Sequence, residues 1–238
     1  MEGRVALVTG GTKGIGFHIA QQLGQKGINL VVAARTEDKE AIQQLQKTGV
    51  TVDFVAVDVA SDKDIEKARD FVNNKYGKLD ILVNNAALAN APNPNASQRD
   101  HYLITYNANV AGVAVIMDTF YELLKKSAHP RIVNVSSTYG SLIKAANGAF
   151  GAEYINYRVT KAALNLLTII YSQKFKEIKV NAVCPGYCKT AFNGFNGTRD
   201  PALGALAAVK IALIEDDGPT GGFFEITDED AKIKVADW

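Results

Sequence analysis

The run Val5-Ala6-Leu7-Val8-Thr9-Gly10-Gly11-Thr12-Lys13-Gly14-Ile15-Gly16 decides how the remainder of this 238-residue chain is read. Its apolar start has the length of a buried strand, and it breaks at once into glycine. Ile15, Ile19, Ala20 and Leu23 then recur at helical spacing up to Gly27. Strand, glycine turn and helix in that order form a cradle for a phosphate. Glycines let the backbone approach the ligand closely, and the helix amino terminus faces its negative charge. The cradle is assigned to Gly10, Thr12, Lys13, Gly14, Ile15 and Gly16.

A second apolar run, Asn29 to Ala34, ends in Arg35. A site for NAD more often has an acid here, holding the ribose 2′-hydroxyl. With Arg35 and Lys13 the charge is reversed, and a guanidinium fork suits a 2′-phosphate, so the expected cofactor is NADP(H). The competing reading makes Glu37 or Asp38 the ribose acid. Those two are instead expected in the first turn of the next helix behind Thr36 as N-cap, where negative charge suits the helix dipole.

Composition excludes several function classes. Hydrophobic residues make up 47% and charged residues 21%, enough apolar material for a large core. A net charge of +1 provides no long-range field for nucleic acid or an anionic membrane. The first strand begins near Arg4, too early for a signal peptide before it, and no apolar stretch reads as a membrane span, so a cytoplasmic protein is expected. Cys184 and Cys188 flank Pro185-Gly186 without further ligands, which fits reduced thiols and no metal. Without a linker at mid-chain, residues 1–238 read as a single domain.

Further strands are expected at Thr51 to Val57, Asp80 to Val83, Arg131 to Val135 and Lys179 to Val183, separated by helical segments. Ser61 and Asp64 mark one helix start, and Asp200-Pro201 another. Regular alternation of strand and helix predicts an α/β protein: a Rossmann-type, doubly wound parallel sheet with helices on both faces. Ligands then bind at the carboxyl ends of the strands. The long helical stretch from about Gln98 to Lys126 carries Asn107 and Asn109 in its interior, where asparagine competes for backbone hydrogen bonds and a local kink is one expectation.

Taken together, Thr9-Gly10 to Gly16, Asp58, Asn84-Asn85-Ala86, Asn109, Ser136-Ser137, Tyr157 to Lys161, and Pro185-Gly186 with Thr190 resemble the short-chain dehydrogenase/reductase family over nearly the whole chain. The resemblance implies that Asp58 and Val59 lie near the adenine and that Asn84, Asn85 and Ala86 support the cofactor. It also implies that Pro185 and Gly186, with Thr190, border the nicotinamide, and that Asn109 supports a water in a proton relay. Three departures stand out: Ala87 replaces a usual glycine, twenty positions separate Ser137 from Tyr157, and the Gly218 to Phe224 end lacks an Asp-Gly-Gly. The second predicts an inserted loop over 138–153, and the third looks more like the carbonyl reductase branch than the tetrameric members.

Tyr157 and Lys161 lie four residues apart, on one helical face. A phenol titrates near ~10, and a neighbouring cation favours the phenolate. The family resemblance adds contact between Lys161 and the nicotinamide ribose. The expected reaction passes hydride from NADPH to an aldehyde or ketone carbon, with Tyr157 protonating the oxygen that Ser137 holds. Ser136 is the less suited serine. An oxoacyl-type biosynthetic reductase and a non-catalytic NADP-sensing protein are the alternatives. The first would require a basic entrance, and the Asn90 to Asn95 loop has no basic cluster, although Arg99 is near. Residues 186–199, with Gly194, Gly197, Phe192 and Phe195, fit either a substrate lid or an ordinary surface loop. The apolar residues of the helix around Tyr157 fit a core face or a dimer face, leaving monomer and homo-oligomer both open.

Overall fold

Every residue of β1 (Val5–Thr9) is buried, and the strand divides its side chains by parity. Ala6 and Val8 join one apolar cluster, Val5 and Leu7 the other. A parallel strand between two helical layers requires this, so the run is continuously apolar. The structure is a computed structural model and describes residues 3–90, 93, 95–227 and 232–238.

From β1 the chain runs through α1 (Gly14–Gln25), β2 (Asn29–Ala34), α2 (Lys39–Gln46), β3 (Val52–Ala56), α3 (Asp62–Tyr76) and β4 (Ile81–Asn84). It continues through α4 (Gln98–Tyr106), α5 (Gly112–Leu124), β5 (Arg131–Val135), α6 (Leu142–Ala146), α7 (Ile155–Lys174), β6 (Lys179–Cys184), α8 (Pro201–Ala212), β7 (Phe223–Ile226) and β8 (Ile233–Val235). The strands form one sheet in the order β3-β2-β1-β4-β5-β6-β7-β8. One apolar cluster gathers residues of α1, α2 and α8, such as Ile19, Leu45 and Ile211. The other gathers α3, α5 and α7, such as Val72, Phe120 and Leu164. This is the expected α/β sheet with helices on both faces. The order reverses at β1, so the crevice between the ends of β1 and β4 is the topological switch point.

The structure corrects several expectations. β8 runs antiparallel to β7, pairing Glu225 with Lys234. It is a short half-exposed edge strand that the apolar pattern does not reveal. β3 is one residue shorter at each end than expected. The N-cap of α2 is Asp38, not Thr36, and its carboxylate accepts the Ala41 N–H at 3.0 Å. Gln98 to Leu124 forms a continuous helical run of 27 residues, long and apolar enough by length and composition to cross a membrane. Half of that apolar window is buried in the protein, because α5 turns Val113, Ile116, Met117 and Phe120 onto the sheet. The expected kink is a π-helical turn over Asn107–Ala111. The starts at Ser61 and Asp200 are as expected: Ser61 accepts the Asp64 N–H and Asp200 the Ala202 N–H.

Candidate active site

The site is built where β1, β4, β5 and β6 end. Thr9 closes β1 as a buried hydroxyl that accepts the N–H groups of Asn85 and Ala86, both at 3.0 Å. The Asn85 side chain returns two bonds, to the carbonyls of Thr9 (2.9 Å) and Gly10 (3.3 Å). The glycine turn is thus tied to the end of β4, and the Gly10 N–H ties it to β2 through Ala33 O at 2.7 Å. Thr9 is the connector that sequence reasoning quoted only as part of the turn. Its signal was a polar residue ending an otherwise apolar buried strand. Gly16 is required by packing, since a β-carbon there would lie 2.3 Å from Gly10 O and 2.4 Å from the Asn85 amide.

Lys13 is the N-cap of α1 and makes no side-chain cap bond. The leading N–H groups of α1 have no intrahelical acceptor, as in any helix, so they can receive an anionic oxygen. Arg35 follows β2 as an exposed side chain beside that turn. Asp38 is committed to capping α2, while Arg35 and Glu37 are both exposed. After β3, Asp58 accepts the Ala60 N–H at 3.0 Å. Val59 O lies 2.1 Å from where a Gly112 β-carbon would be, so the Asp58-Val59 segment packs directly on the start of α5.

At the end of β5 the two serines separate. Ser136 is buried and donates to Asn165 Oδ1 at 2.5 Å, so its hydroxyl belongs to the core. Ser137 is half-exposed, starts the 3-10 turn Thr138–Gly140, and accepts the Tyr139 N–H at 3.1 Å. Its hydroxyl is also within hydrogen-bonding reach of the Tyr157 phenol. Lys161 is buried, with Nζ donating to Val135 O at 2.7 Å and lying 5.5 Å from the centre of the Tyr157 ring. Asn109 sits in the π-helical turn with its side chain fully used. It accepts from Leu88 N at 2.7 Å and donates to Leu88 O at 2.7 Å and Thr160 Oγ1 at 3.0 Å. The turn therefore joins the segment after β4 to α7, one residue from Lys161.

The electrostatics differ from the expectation of a stabilised phenolate. Burial pushes the Tyr157 phenol above its ordinary value, and the Ser137 hydroxyl offsets only part of this. Burial also lowers Lys161 to about 8. Desolvation disfavours charge on both groups and is the largest influence on each. Tyr157 is accordingly a neutral phenol, ready to give a proton.

The last third of the chain closes the site from the other side. Gly186 has φ +78, and a β-carbon there would meet the Arg199 guanidinium at 2.3 Å. Arg199, which sequence reasoning did not single out, donates to Pro185 O at 2.9 Å. Residues 186–199 fold on themselves: Lys189 N–H bonds Arg199 O at 2.8 Å and Thr198 N–H bonds Tyr187 O at 2.9 Å. Thr190 is buried, and its methyl lies 3.4 Å from where a Gly14 β-carbon would stand, over the glycine turn. Cys184 and Cys188 are buried, and the Cys188 thiol donates to Pro185 O at 3.2 Å. The 138–153 segment contains α6, started by Ser141, whose hydroxyl donates to Trp238 O at 2.9 Å. In the Asn90 to Asn95 loop, Ala91, Pro92 and Pro94 lie outside the described residues.

Crevice, glycine turn and the Ser137, Tyr157, Lys161 group define a nucleotide-dependent oxidoreductase class, and residues 4–200 match the short chain dehydrogenase family. The chain belongs to that family. It is 34% identical to short-chain dehydrogenase anuI of Penicillium roqueforti, over 98% of this chain and 97% of that protein. It is 33% identical to carbonyl reductase (NADPH) 1 of Sus scrofa, over 99% and 94%. Among solved structures it is similar to salutaridine reductase from Papaver somniferum, with a TM-score of 0.83 and 29% identity over 92% of this chain and 99% of that one. It also resembles NADPH-bound carbonyl reductase from chicken fatty liver, with a TM-score of 0.83 and 26% identity over 100% of both chains.

Proposed function

We propose that the protein is an NADP(H)-dependent carbonyl reductase that converts an aldehyde or ketone to its alcohol. The observation that carries this reading is the meeting of Ser137, a neutral, partly buried Tyr157 and a buried Lys161 at the strand ends that also hold the glycine turn. The relatives named as NADPH-using carbonyl reductases support the cofactor and the reaction type.

The residues present fit the cofactor. Gly10, Thr12, Lys13, Gly14, Ile15 and Gly16 would hold its pyrophosphate, Arg35 with Lys13 the 2′-phosphate, Asp58 and Val59 the adenine, and Asn85 and Ala86 the strand end beneath it. Pro185, Gly186 and Thr190 would border the nicotinamide, with Tyr157 and Lys161 on its ribose. Bound NADPH supplies two electrons and a hydrogen to the carbonyl carbon, leaving NADP⁺. The carbonyl oxygen gains its proton from Tyr157 while Ser137 donates a hydrogen bond to the same oxygen. Lys161, near 8, can resupply that proton at neutral pH. Asn109 is a positioning residue that holds the start of α7 against the segment after β4. Residues 186–199 act as the lid over a small-molecule substrate, and all 238 residues work as one catalytic domain.

NADPH oxidation across a panel of aldehydes, ketones, quinones and oxoacyl esters tests this reading. Turnover of simple carbonyl compounds is the expected result. Preferential turnover of oxoacyl esters would move the assignment to a biosynthetic reductase, and NADPH binding without turnover of any compound would make the protein a sensor.

A further inference from the structure

Among the described residues, three that are not glycine have left-handed backbone: Phe150 (φ 75), Tyr154 (φ 55) and Phe195 (φ 61). All three are aromatic, and all lie in the two segments that flank Tyr157. A bulky residue in this region is strained, and such strain persists where the surroundings hold it for a purpose. The rings are not placed there to fill the core: Phe150 is 37%, Tyr154 53% and Phe195 60% exposed.

Tyr154 also stands at the N-cap of α7 and makes no side-chain cap bond. Asp38, Ser61, Ser97 and Asp200 cap α2, α3, α4 and α8 with their side chains. The other helix that follows a loop without such a cap is α1, whose open end belongs to the glycine cradle. At α7 the chain gives up a polar cap and accepts strain, and what it gains is an exposed phenol ring at the mouth of the site.

The rings form a continuous wall. Tyr139 packs on Phe150 with centroids 4.4 Å apart and faces Tyr154 at 6.2 Å. Tyr139 is also close enough to Tyr157 to act on its titration, and Phe192 meets the Tyr157 ring from the opposite segment at 5.6 Å. Phe192 is itself 48% exposed. Charge is sparse here: over residues 138–154 and 186–199 the acidic and basic side chains are Lys144, Glu153, Lys189 and Arg199, with Arg199 donating to Pro185 O and Arg158, from α7, donating to Gly151 O. Nothing in these segments provides the cation cluster that a phosphate or carboxylate would need.

We propose that Phe150, Tyr139 and Tyr154, with Phe192 across the opening, recognise a neutral, flat, multi-ring ketone by stacking, and present its carbonyl to Tyr157. This deepens the carbonyl reductase reading and rests on it. Aromatic faces half open to solvent favour a planar partner over a flexible chain, because offset stacking adds to plain area burial.

The test compares 2-acetylnaphthalene with 2-dodecanone, which have the same number of carbon atoms, in NADPH oxidation assays. The variants are Phe150→Leu, Tyr154→Leu and Phe192→Leu, with Tyr154→Phe as the conservative control. The ratio of kcat/KM for the naphthyl ketone to that for the alkyl ketone is expected to fall about three- to tenfold in each leucine variant, through KM. Tyr154→Phe restores it. Tyr154→Asn, a residue that tolerates both left-handed backbone and a helix N-cap, is expected to hold or raise Tm while lowering that ratio, which a merely structural role would not do. An unchanged ratio in Phe150→Leu and Tyr154→Leu overturns the proposal and leaves the reductase reading standing. If neither ketone consumes NADPH, the reductase reading fails only when the wider carbonyl panel is also inactive, and saturation-transfer NMR with 2-acetylnaphthalene decides the wall separately in either case. Ring signals that weaken in Tyr154→Leu support it, and no transfer to the parent protein overturns it.

Discussion

The glycine turn and the aromatic entrance lie on the same edge of the sheet and are built in opposite ways. At the turn, the tightest contacts at Gly16 are with backbone and a bonded amide: Gly16 against Gly10 O and the Asn85 amide, which donates to Thr9 O and Gly10 O. At the entrance, bulky rings hold left-handed backbone and face solvent. The first region binds a part common to many nucleotides, so its geometry is set by backbone and tolerates little change. In our proposal the second meets the variable part of the reaction, and its side chains, not its backbone bonds, carry the selectivity. Tyr157 is carried by α7 and packs its ring against Phe192 of the entrance.

The contrast breaks most severely at its centre. Tyr157→Phe is expected to lower kcat about 10²- to 10⁴-fold, the usual worth of a positioned acid, while NADPH affinity measured by fluorescence titration falls by no more than about tenfold, the worth of one hydrogen bond to the ribose. Near-normal turnover would remove Tyr157 from the proton path. Lys161 sharpens the same point through pH. Its folded value is lowered to about 8 from an ordinary 10.5, so between those values the unfolded chain binds more protons and stability rises with pH. The unfolding free energy from urea titrations should therefore climb from about pH 8, by about 3 kcal/mol in all, and Lys161→Met should flatten the climb. Above an ordinary tyrosine value of 10.0 the raised Tyr157 acts in the opposite sense, costing stability as the unfolded phenol ionises.

On the turn side, Gly16→Ala forces a methyl against Gly10 O and the Asn85 amide, and is expected to cost about 1–3 kcal/mol and weaken NADPH binding together. Unchanged Tm and affinity would mean that the turn can move away from α1. The smallest effect is expected at Arg35, which is exposed. Arg35→Asp should shift preference from NADPH towards NADH by about tenfold in kcat/KM, the worth of one charge-assisted contact. A variant that still favours NADPH would take Arg35 out of phosphate recognition.

Much of this architecture could be read along the chain because its causes are local. The buried strands are apolar runs, α3 and α8 begin at Ser61 and Asp200 where polar caps stand, and Tyr157 and Lys161 share a face by helical spacing alone. Where local signals were weak the reading slipped. The α2 cap moved from Thr36 to Asp38 because two nearby residues can each accept the free N–H groups. The antiparallel β8 was missed because three half-exposed residues carry no apolar period. Asn107 and Asn109 signalled an irregularity, but not that it would be a π-helical turn with Asn109 bonded across to Leu88 and Thr160.

By itself the sequence determined the α/β sheet, the glycine cradle and the chemical identity of the Ser137, Tyr157 and Lys161 group, since each follows from residue type and spacing along one stretch. Only the tertiary structure decided which serine is buried, that Thr9 joins the turn to β4, that Thr190 covers Gly14, and that desolvation keeps Tyr157 neutral. These depend on what distant segments bring within a few ångströms, and burial, unlike spacing, is a property that no single stretch of chain contains.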